Sequence, residues 1–198
     1  MIKVSFLKKV LFIGVICGVT LTSFAQEAKT AGELKAEREQ LQAELKSKGT
    51  KKREEKIVKL ASETPKQTAS QSVNGLVEMS KGILVTLVSN NEFLATFKRE
   101  ITDNGDGEID VTTHKAKLTD YVGLAANLAA AGIQITSGME NLKGASDEVK
   151  SLSPLEAASA GKSVKFSSEA LKLSGEEVAL QLKLVNNLIA TIKSSDNL

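Results

Sequence analysis

Apolar residues recur at spacings of three and four between residues 118 and 142, the clearest hydrophobic pattern in the chain. The series comprises Leu118, Tyr121, Ala125, Leu128, Gly132, Ile135, Met139 and Leu142. A seven-residue repeat of this kind predicts a helix that packs against other helices. Within it, residues 122–135 carry only Asn127 and Gln134 as polar side chains. A helix that is apolar so far around its circumference is expected to be buried on most sides.

Two further long helices follow from the same spacing. The first, residues 65–101, starts at Thr64-Pro65, because proline is favoured at the first helical position. Its seam comprises Val73, Leu76, Ser80, Ile83, Leu87, Asn90, Leu94, Phe97 and Ile101. Asn90, one of its two polar members, is of the kind that sets the register between helices. The second, residues 154–193, has Val164, Leu171, Val178, Val185 and Ile192 one heptad apart, with Gly175 as the point where a kink would fall.

A more charged helical region, residues 31–62, precedes these and divides into two parts. Thr30 and Glu33 have the spacing of a capping box, which predicts the helix start. Gly49 predicts the end of the first part, since glycine often terminates helices. The apolar stripe is thin and comprises Leu34, Leu41, Leu45, Ile57 and Leu60, with Arg38 interrupting it.

These helices define the expected fold. Strands of alternating apolar and polar residues are nearly absent, which favours an all-α protein. The helical pieces 31–62 (in two parts), 65–101, 113–144 and 154–193 are of similar length, and proline or glycine marks the joints. We therefore predict an antiparallel four-helix bundle with the N-terminal helix the loosest member. The charged segment 26–63 and the core 64–198 would form one domain.

The first 25 residues have the features of a secretory signal peptide. Lys3, Lys8 and Lys9 precede an apolar run over residues 10–21. The small residues of Ser23-Phe24-Ala25 predict cleavage between Ala25 and Gln26, and thus a bacterial protein exported to the periplasm or beyond. Two alternatives remain open. One is an uncleaved anchor; the other is a lipoprotein on Cys17, although Ile16 stands where such signals require a small residue.

Removal of this segment changes the composition. Three of the 26 basic residues and none of the 24 acidic ones lie in it, so the mature chain is close to neutral. Cys17 leaves too, which excludes disulfides, cysteine metal sites and cysteine nucleophiles. The mature chain keeps as aromatic residues only Phe93, Phe97, Phe166 and Tyr121. This is too few for the base-stacking surface of a nucleic-acid-binding protein.

One loop has a ligand-like arrangement. The sequence from Asp103 to Asp110, DNGDGEID, resembles the middle of an EF-hand calcium loop. With Gly107 at the turn, the resemblance places Asn104, Asp106 and Asp110 at the third, fifth and ninth positions. Thr102 and Thr113 stand where the first aspartate and the last, bidentate glutamate belong. The three residues are thus a weak calcium candidate, and the alternative is a plain polar turn.

Catalytic signatures are missing. His114, the only histidine, is at a helix start, where we expect it to be solvated. The chain has no nucleotide-binding glycine motif and no Glu-x-x-His pair of the kind that di-iron bundles use. We therefore expect a protein that is not an enzyme and needs no cofactor.

Two functions fit this pattern. The first is an exported interaction or structural module that binds another protein, or its own copy, through helix–helix contacts. The alternative is a membrane-active or lipid-binding protein that uses the apolar helix 118–142; helical pore-forming toxins are similar in outline, an analogy of architecture alone.

Overall fold

The computed structural model describes residues 29–104 and 108–195, which form seven α-helices and no strand. In chain order these are α1 (Ala31–Lys46), α2 (Lys48–Ser62), α3 (Gln71–Phe93), α4 (Ala95–Asp103), α5 (Val111–Lys115), α6 (Leu118–Val149) and α7 (Pro154–Ser195). The all-α class is therefore confirmed. The predicted signal peptide lies outside the described residues.

The N-terminal region has the expected two parts, but the break is at Ser47 instead of Gly49. The Ser47 hydroxyl accepts the backbone N–H of Thr50 at 3.1 Å, so Ser47 caps the start of α2. Gly49 lies inside α2. The capping box at the start of α1 is confirmed: the Glu33 carboxylate accepts the N–H of Thr30 at 2.8 Å.

The helix predicted from Pro65 begins later, at Gln71. The Asn74 side chain accepts the backbone N–H of Thr68 and donates to its carbonyl oxygen, both at 2.9 Å. These bonds offer the backbone an alternative to helical pairing, and residues 63–70 are not helical. Ser70 then caps α3 by accepting the N–H of Val73 at 3.1 Å. The helix also breaks at Leu94, which separates α3 from α4.

The central apolar helix, α6, begins at Leu118, after the separate short helix α5. It continues through Gly144 to Val149, so Gly144 is not its end. The last helix, α7, is continuous through Gly161 and Gly175. Glycine lowers helix stability but does not end a helix that tertiary packing supports.

α7 is the element around which the others pack, with α6, α3, α2 and α1 in contact with it. α6 and α7 run in opposite directions, since Gly132 faces Val178 whereas Gly138 faces Leu171. Gly138 marks the closest approach. A Cβ atom there would stand 2.5 Å from Met79 Cε and 3.0 Å from Leu171 Cδ1, so a larger residue where α3, α6 and α7 meet would require these side-chain ends to shift.

Candidate functional site

One side of α6 is buried and the other faces solvent. The buried residues are Tyr121, Leu124, Leu128, Ala131, Ile135, Gly138 and Ala145. The solvent-facing stripe, which we call the outer face of α6, comprises Thr119, Val122, Gly123, Ala126, Ala130, Ile133 and Ser137. Ile133 is 66% exposed and Val122 is 42% exposed. The expectation that neighbours cover residues 122–135 on most sides is therefore wrong.

The outer face of α6 lacks charge. No Asp, Glu, Lys or Arg occurs from Tyr121 to Met139, and the stripe from Thr119 to Ser137 spans about 27 Å at 1.5 Å per residue. Exposed positions of α7, in contrast, carry Lys162, Lys165, Lys172 and Lys183. An exposed apolar stripe without charge is typical of a surface that packs against something else.

Gly123 leaves part of this face without a side chain. A Cβ atom there would meet no other atom within 4 Å, in contrast to the crowded Gly138. Glycine inside a helix costs about 1 kcal/mol relative to alanine. The exposed side of α3 is open in the same way at Gly75 and Gly82, so this cost alone does not distinguish Gly123.

α6 is also long and strongly apolar. Among the described residues it is the one helix long and apolar enough to cross a membrane. In the 18-residue window that meets this criterion, 28% of the residues are buried. The core helix of a soluble protein meets the same criterion, so composition does not distinguish a membrane segment from a docking surface.

A buried ion network joins α2, α4 and α7. Glu177 is completely buried and accepts the Nε–H of Arg53 at 2.9 Å. Lys98 Nζ lies 3.9 Å from the same carboxylate and pairs with Glu54 at 2.6 Å. Burial of charges is costly unless each is paired, and these contacts provide the pairing. The network ties the N-terminal helices to the centre of α7.

Next to this network, three amides differ in their hydrogen bonding. Gln181 Nε2 donates to the Asn91 side chain at 3.0 Å and to the Leu87 carbonyl oxygen at 3.2 Å. Asn91 also accepts from Lys98 at 2.6 Å. The Asn90 side-chain nitrogen, in contrast, is buried without a hydrogen-bond partner. Asn90 therefore carries an unsatisfied donor.

Arg38, which interrupts the stripe of α1, is buried too. Its Nη1 donates to Thr191 Oγ1 at 2.8 Å and to Asn187 Oδ1 at 3.3 Å. Burial lowers the pKa of Arg38. The negative charges of Glu108 and Glu37 oppose this shift, because they favour the charged guanidinium. The apparent gap in the α1 stripe is thus a polar attachment to the C-terminal part of α7.

His114 is buried, contrary to expectation. It is 2% exposed, with Nδ1 2.8 Å from the Tyr121 hydroxyl and Nε2 2.9 Å from the Glu100 carboxylate. Phe97 contacts its ring edge-on at a centroid distance of 5.7 Å. Burial, and then the charge of Glu100, raise the pKa of Tyr121. The arrangement satisfies both ring nitrogens inside the protein and leaves no open side for a substrate.

The calcium candidate is only partly covered by the described residues. Asp106 lies outside those residues. Asn104 Nδ2 donates to the Glu108 carbonyl oxygen at 2.8 Å. The Asp110 carboxylate caps α5, accepting the Thr113 hydroxyl at 2.5 Å and the Thr112 N–H at 3.0 Å. These bonds, with the Thr113 hydroxyl first, lower the pKa of Asp110.

Over residues 29–104 and 108–195, three or more His, Cys, Asp or Glu side chains are nowhere grouped as a metal site requires. Comparison with protein-family models, curated proteins and solved structures finds no match to this chain.

Proposed function

We propose that the chain is an exported interaction module, and that the outer face of α6 is the surface through which it binds. The observation that carries this proposal is the uncharged stripe with Ile133 66% exposed. Removing this stripe from water gives a favourable free energy of about 25 cal/mol per Å² of apolar area. Its alanines and Gly123 allow another backbone to approach closely, as small residues do at helix contacts.

The rest of the proposal concerns architecture and location. We propose an antiparallel four-helix bundle, with α1–α2, α3–α4, α6 and α7 as its members. The pairs Lys98–Glu54 and Lys81–Thr64 support opposite directions for α2 and the α3–α4 unit. The basic start and small residues before Gln26 support export to the periplasm or beyond, with release of residues 1–25.

The proposed module has no catalytic function, cofactor or nucleic-acid partner. His114 supports this because its two ring nitrogens are engaged by Tyr121 and Glu100 inside the protein. Asp110 supports it as well, because its carboxylate is used as a helix cap. The buried ion network around Glu177 has a structural role in this account, holding α2 and α4 to α7.

Site-specific photo-crosslinking in the native host tests the proposal. A photoreactive residue at Ala126 lies in the centre of the outer face, whereas the same residue at Ser168 lies on the exposed side of α7. We expect an adduct of one defined mass from position 126 and none from position 168. Equal, diffuse labelling from both positions would contradict a dedicated binding surface.

The alternative function is membrane binding, favoured by the length and hydropathy of Leu118–Val149. Its uncharged stripe of about 27 Å falls short of the roughly 30 Å hydrocarbon core. Tyr121 is the one aromatic residue of α6, whereas membrane helices have aromatic residues at both interfaces. We expect the purified mature protein to cause no dye release from liposomes at neutral pH. Release that Leu128→Asp abolishes would support the membrane function instead.

A further inference from the structure

We infer that a cleft between α2 and α7 binds a phosphate monoester, a ligand that the proposed function does not require. The two helices run in opposite directions, since Arg53 pairs with Glu177 and Lys56 pairs with Glu169. The cleft begins at the second of these pairs, where the C-terminal end of α2 lies beside the N-terminal part of α7. Its volume is about 240 Å³.

Each helix contributes two lysines to this cleft, which we call the basic cleft. The four are Lys56, Lys59, Lys162 and Lys165. Its floor is apolar, formed by Leu60 and Phe166, which are both buried. The ammonium groups therefore surround a depression whose base offers no competing polar group from these two side chains.

Opposite charges meet elsewhere along the contact between the N-terminal helices and α7. Lys183 of α7, for example, pairs with Glu44 of α1 at 3.0 Å. At the basic cleft this complementarity ends, because Lys59 lies across from Lys162 and Lys165. None of these three lysines forms an ion pair with a carboxylate in the part of the chain that the structure describes.

The lysines of each helix are also neighbours along it. Lys56 and Lys59 are three residues apart on α2, and Lys162 and Lys165 are three residues apart on α7. Like charges on neighbouring positions of a helix repel one another. A cleft lined by one sign of charge concentrates ions of the opposite sign. An anion between the two helices would therefore relieve a repulsion that the free protein carries.

Charge and size indicate which anion fits. Four lysines and the carboxylates of Glu63 and Glu169 line the basic cleft, which leaves two net positive charges. A phosphate monoester carries a charge of about −1.5 to −2 at pH 7, and lysine binds phosphate as a point charge. Pockets for small molecules measure roughly 300–1,000 Å³, so this smaller cleft suits a compact phosphate group. That group could belong to a soluble ester or to a lipid headgroup.

Binding measurements at fixed ionic strength distinguish these sources. The purified mature protein is titrated in a calorimeter with inorganic phosphate and with glycerol 3-phosphate. It is also sedimented with phosphatidylcholine vesicles that contain or lack phosphatidic acid, a lipid phosphate monoester. We expect saturable binding of at least one phosphate probe, with a Kd on the order of 1 mM or tighter. Binding of the soluble probes alone assigns a soluble ester, and binding of the phosphatidic acid vesicles alone assigns a lipid headgroup.

Charge-neutral variants test whether the basic cleft is the site. Lys59→Gln/Lys162→Gln removes one lysine from each wall and should weaken binding roughly tenfold. All the lysines exchanged are exposed, and glutamine has a similar helix propensity, so the fold should persist. Lys51→Gln/Lys172→Gln is the matched control, with the same change in net charge. Lys51 is about 12 Å along α2 from Lys59, and Lys172 is about 15 Å along α7 from Lys162. Both distances exceed the Debye length of about 8 Å.

Two results would overturn the inference. One is the absence of saturable binding with all the phosphate probes. The other is equal weakening by the two double variants, which would show a diffuse response to net charge. Neither result bears on the outer face of α6, since that face contains no residue of the basic cleft.

Discussion

Arg53 of α2 and Glu177 of α7 form an ion pair of 2.9 Å between Nε and Oε2, although they are 124 residues apart in the chain. Glu177 is fully buried, whereas the neighbouring Glu176 has a side chain 52% exposed. The pair lies where the N-terminal helices meet the centre of α7. It therefore adds a buried polar contact to the apolar packing between the charged segment and the other helices.

Glu177→Ala should destabilise the protein by about 3–5 kcal/mol, because it leaves buried positive charge at Arg53 without its partner. Glu176→Ala is the control and should cost less than about 1 kcal/mol, as exposed pairs do. Urea unfolding measures both. The double variant Arg53→Met/Glu177→Leu should cost less than Glu177→Ala alone. A small effect of Glu177→Ala would mean that water or another group already compensates the charges.

Asn90→Leu and Asn91→Leu should change stability in opposite directions. Asn90 has a buried amide nitrogen without a partner, and removing such a group relieves a penalty of about 1–3 kcal/mol. Asn91 accepts hydrogen bonds from Lys98 and Gln181, and leucine would remove both. Thermal unfolding should show a higher Tm for Asn90→Leu and a lower one for Asn91→Leu. Equal losses from both would show that Asn90 is satisfied in solution.

The sequence predicts which side of α6 is buried, but it does not predict where several helices begin and end. Period-seven spacing placed Leu128 and Ile135 on the inner side of α6, and both are buried, because helical geometry alone sets that side. The predicted helix ends at Gly49 and Gly144 and the predicted helix start at Pro65 are wrong. Side-chain caps at Ser47 and Ser70, and packing around α6, outweigh the local preferences of glycine and proline.

The candidate surface was harder to predict. Small apolar residues such as Ala126 and Ala130 suit a buried helix as well as an exposed docking face, so their burial depends on how many neighbours the fold supplies. The partners of His114 and Arg38 are likewise set by tertiary structure. His114 meets Glu100 from another helix, and Arg38 meets Thr191 from the end of the chain.

The raised pKa of Tyr121 predicts a stability change in alkali. A raised folded-state pKa means that the neutral phenol is favoured in the native protein. Its contribution is thus present below the ordinary tyrosine pKa of 10.0 and is lost as pH rises through the folded value. Tyr121→Phe should be less stable than wild type at neutral pH, since His114 loses a hydrogen bond. Urea unfolding should show this difference shrinking above about pH 10; a constant gap would contradict the assignment.

Calcium should bind weakly or not at all at the 103–110 loop. Asp110 would have to give up its bonds to Thr112 and Thr113 to bind the ion. We expect titration calorimetry to show no heat, or a Kd on the order of 10⁻⁴ M or poorer. Asp110→Ala should abolish any heat that is seen and also lower stability by removing the cap. A sub-micromolar Kd would contradict this account.

The exposure of Ile133 in the cell tests the central claim most directly. A maleimide reagent should label Ile133→Cys rapidly in dilute purified protein, where this side chain is 66% exposed. In the native host, before extraction, the binding-surface account predicts strong protection of the same cysteine. Val58→Cys, at a 55% exposed position on α2, should label equally in both settings. Equal labelling of Ile133→Cys in the host and in dilute solution would show that nothing covers the outer face of α6, contradicting the account.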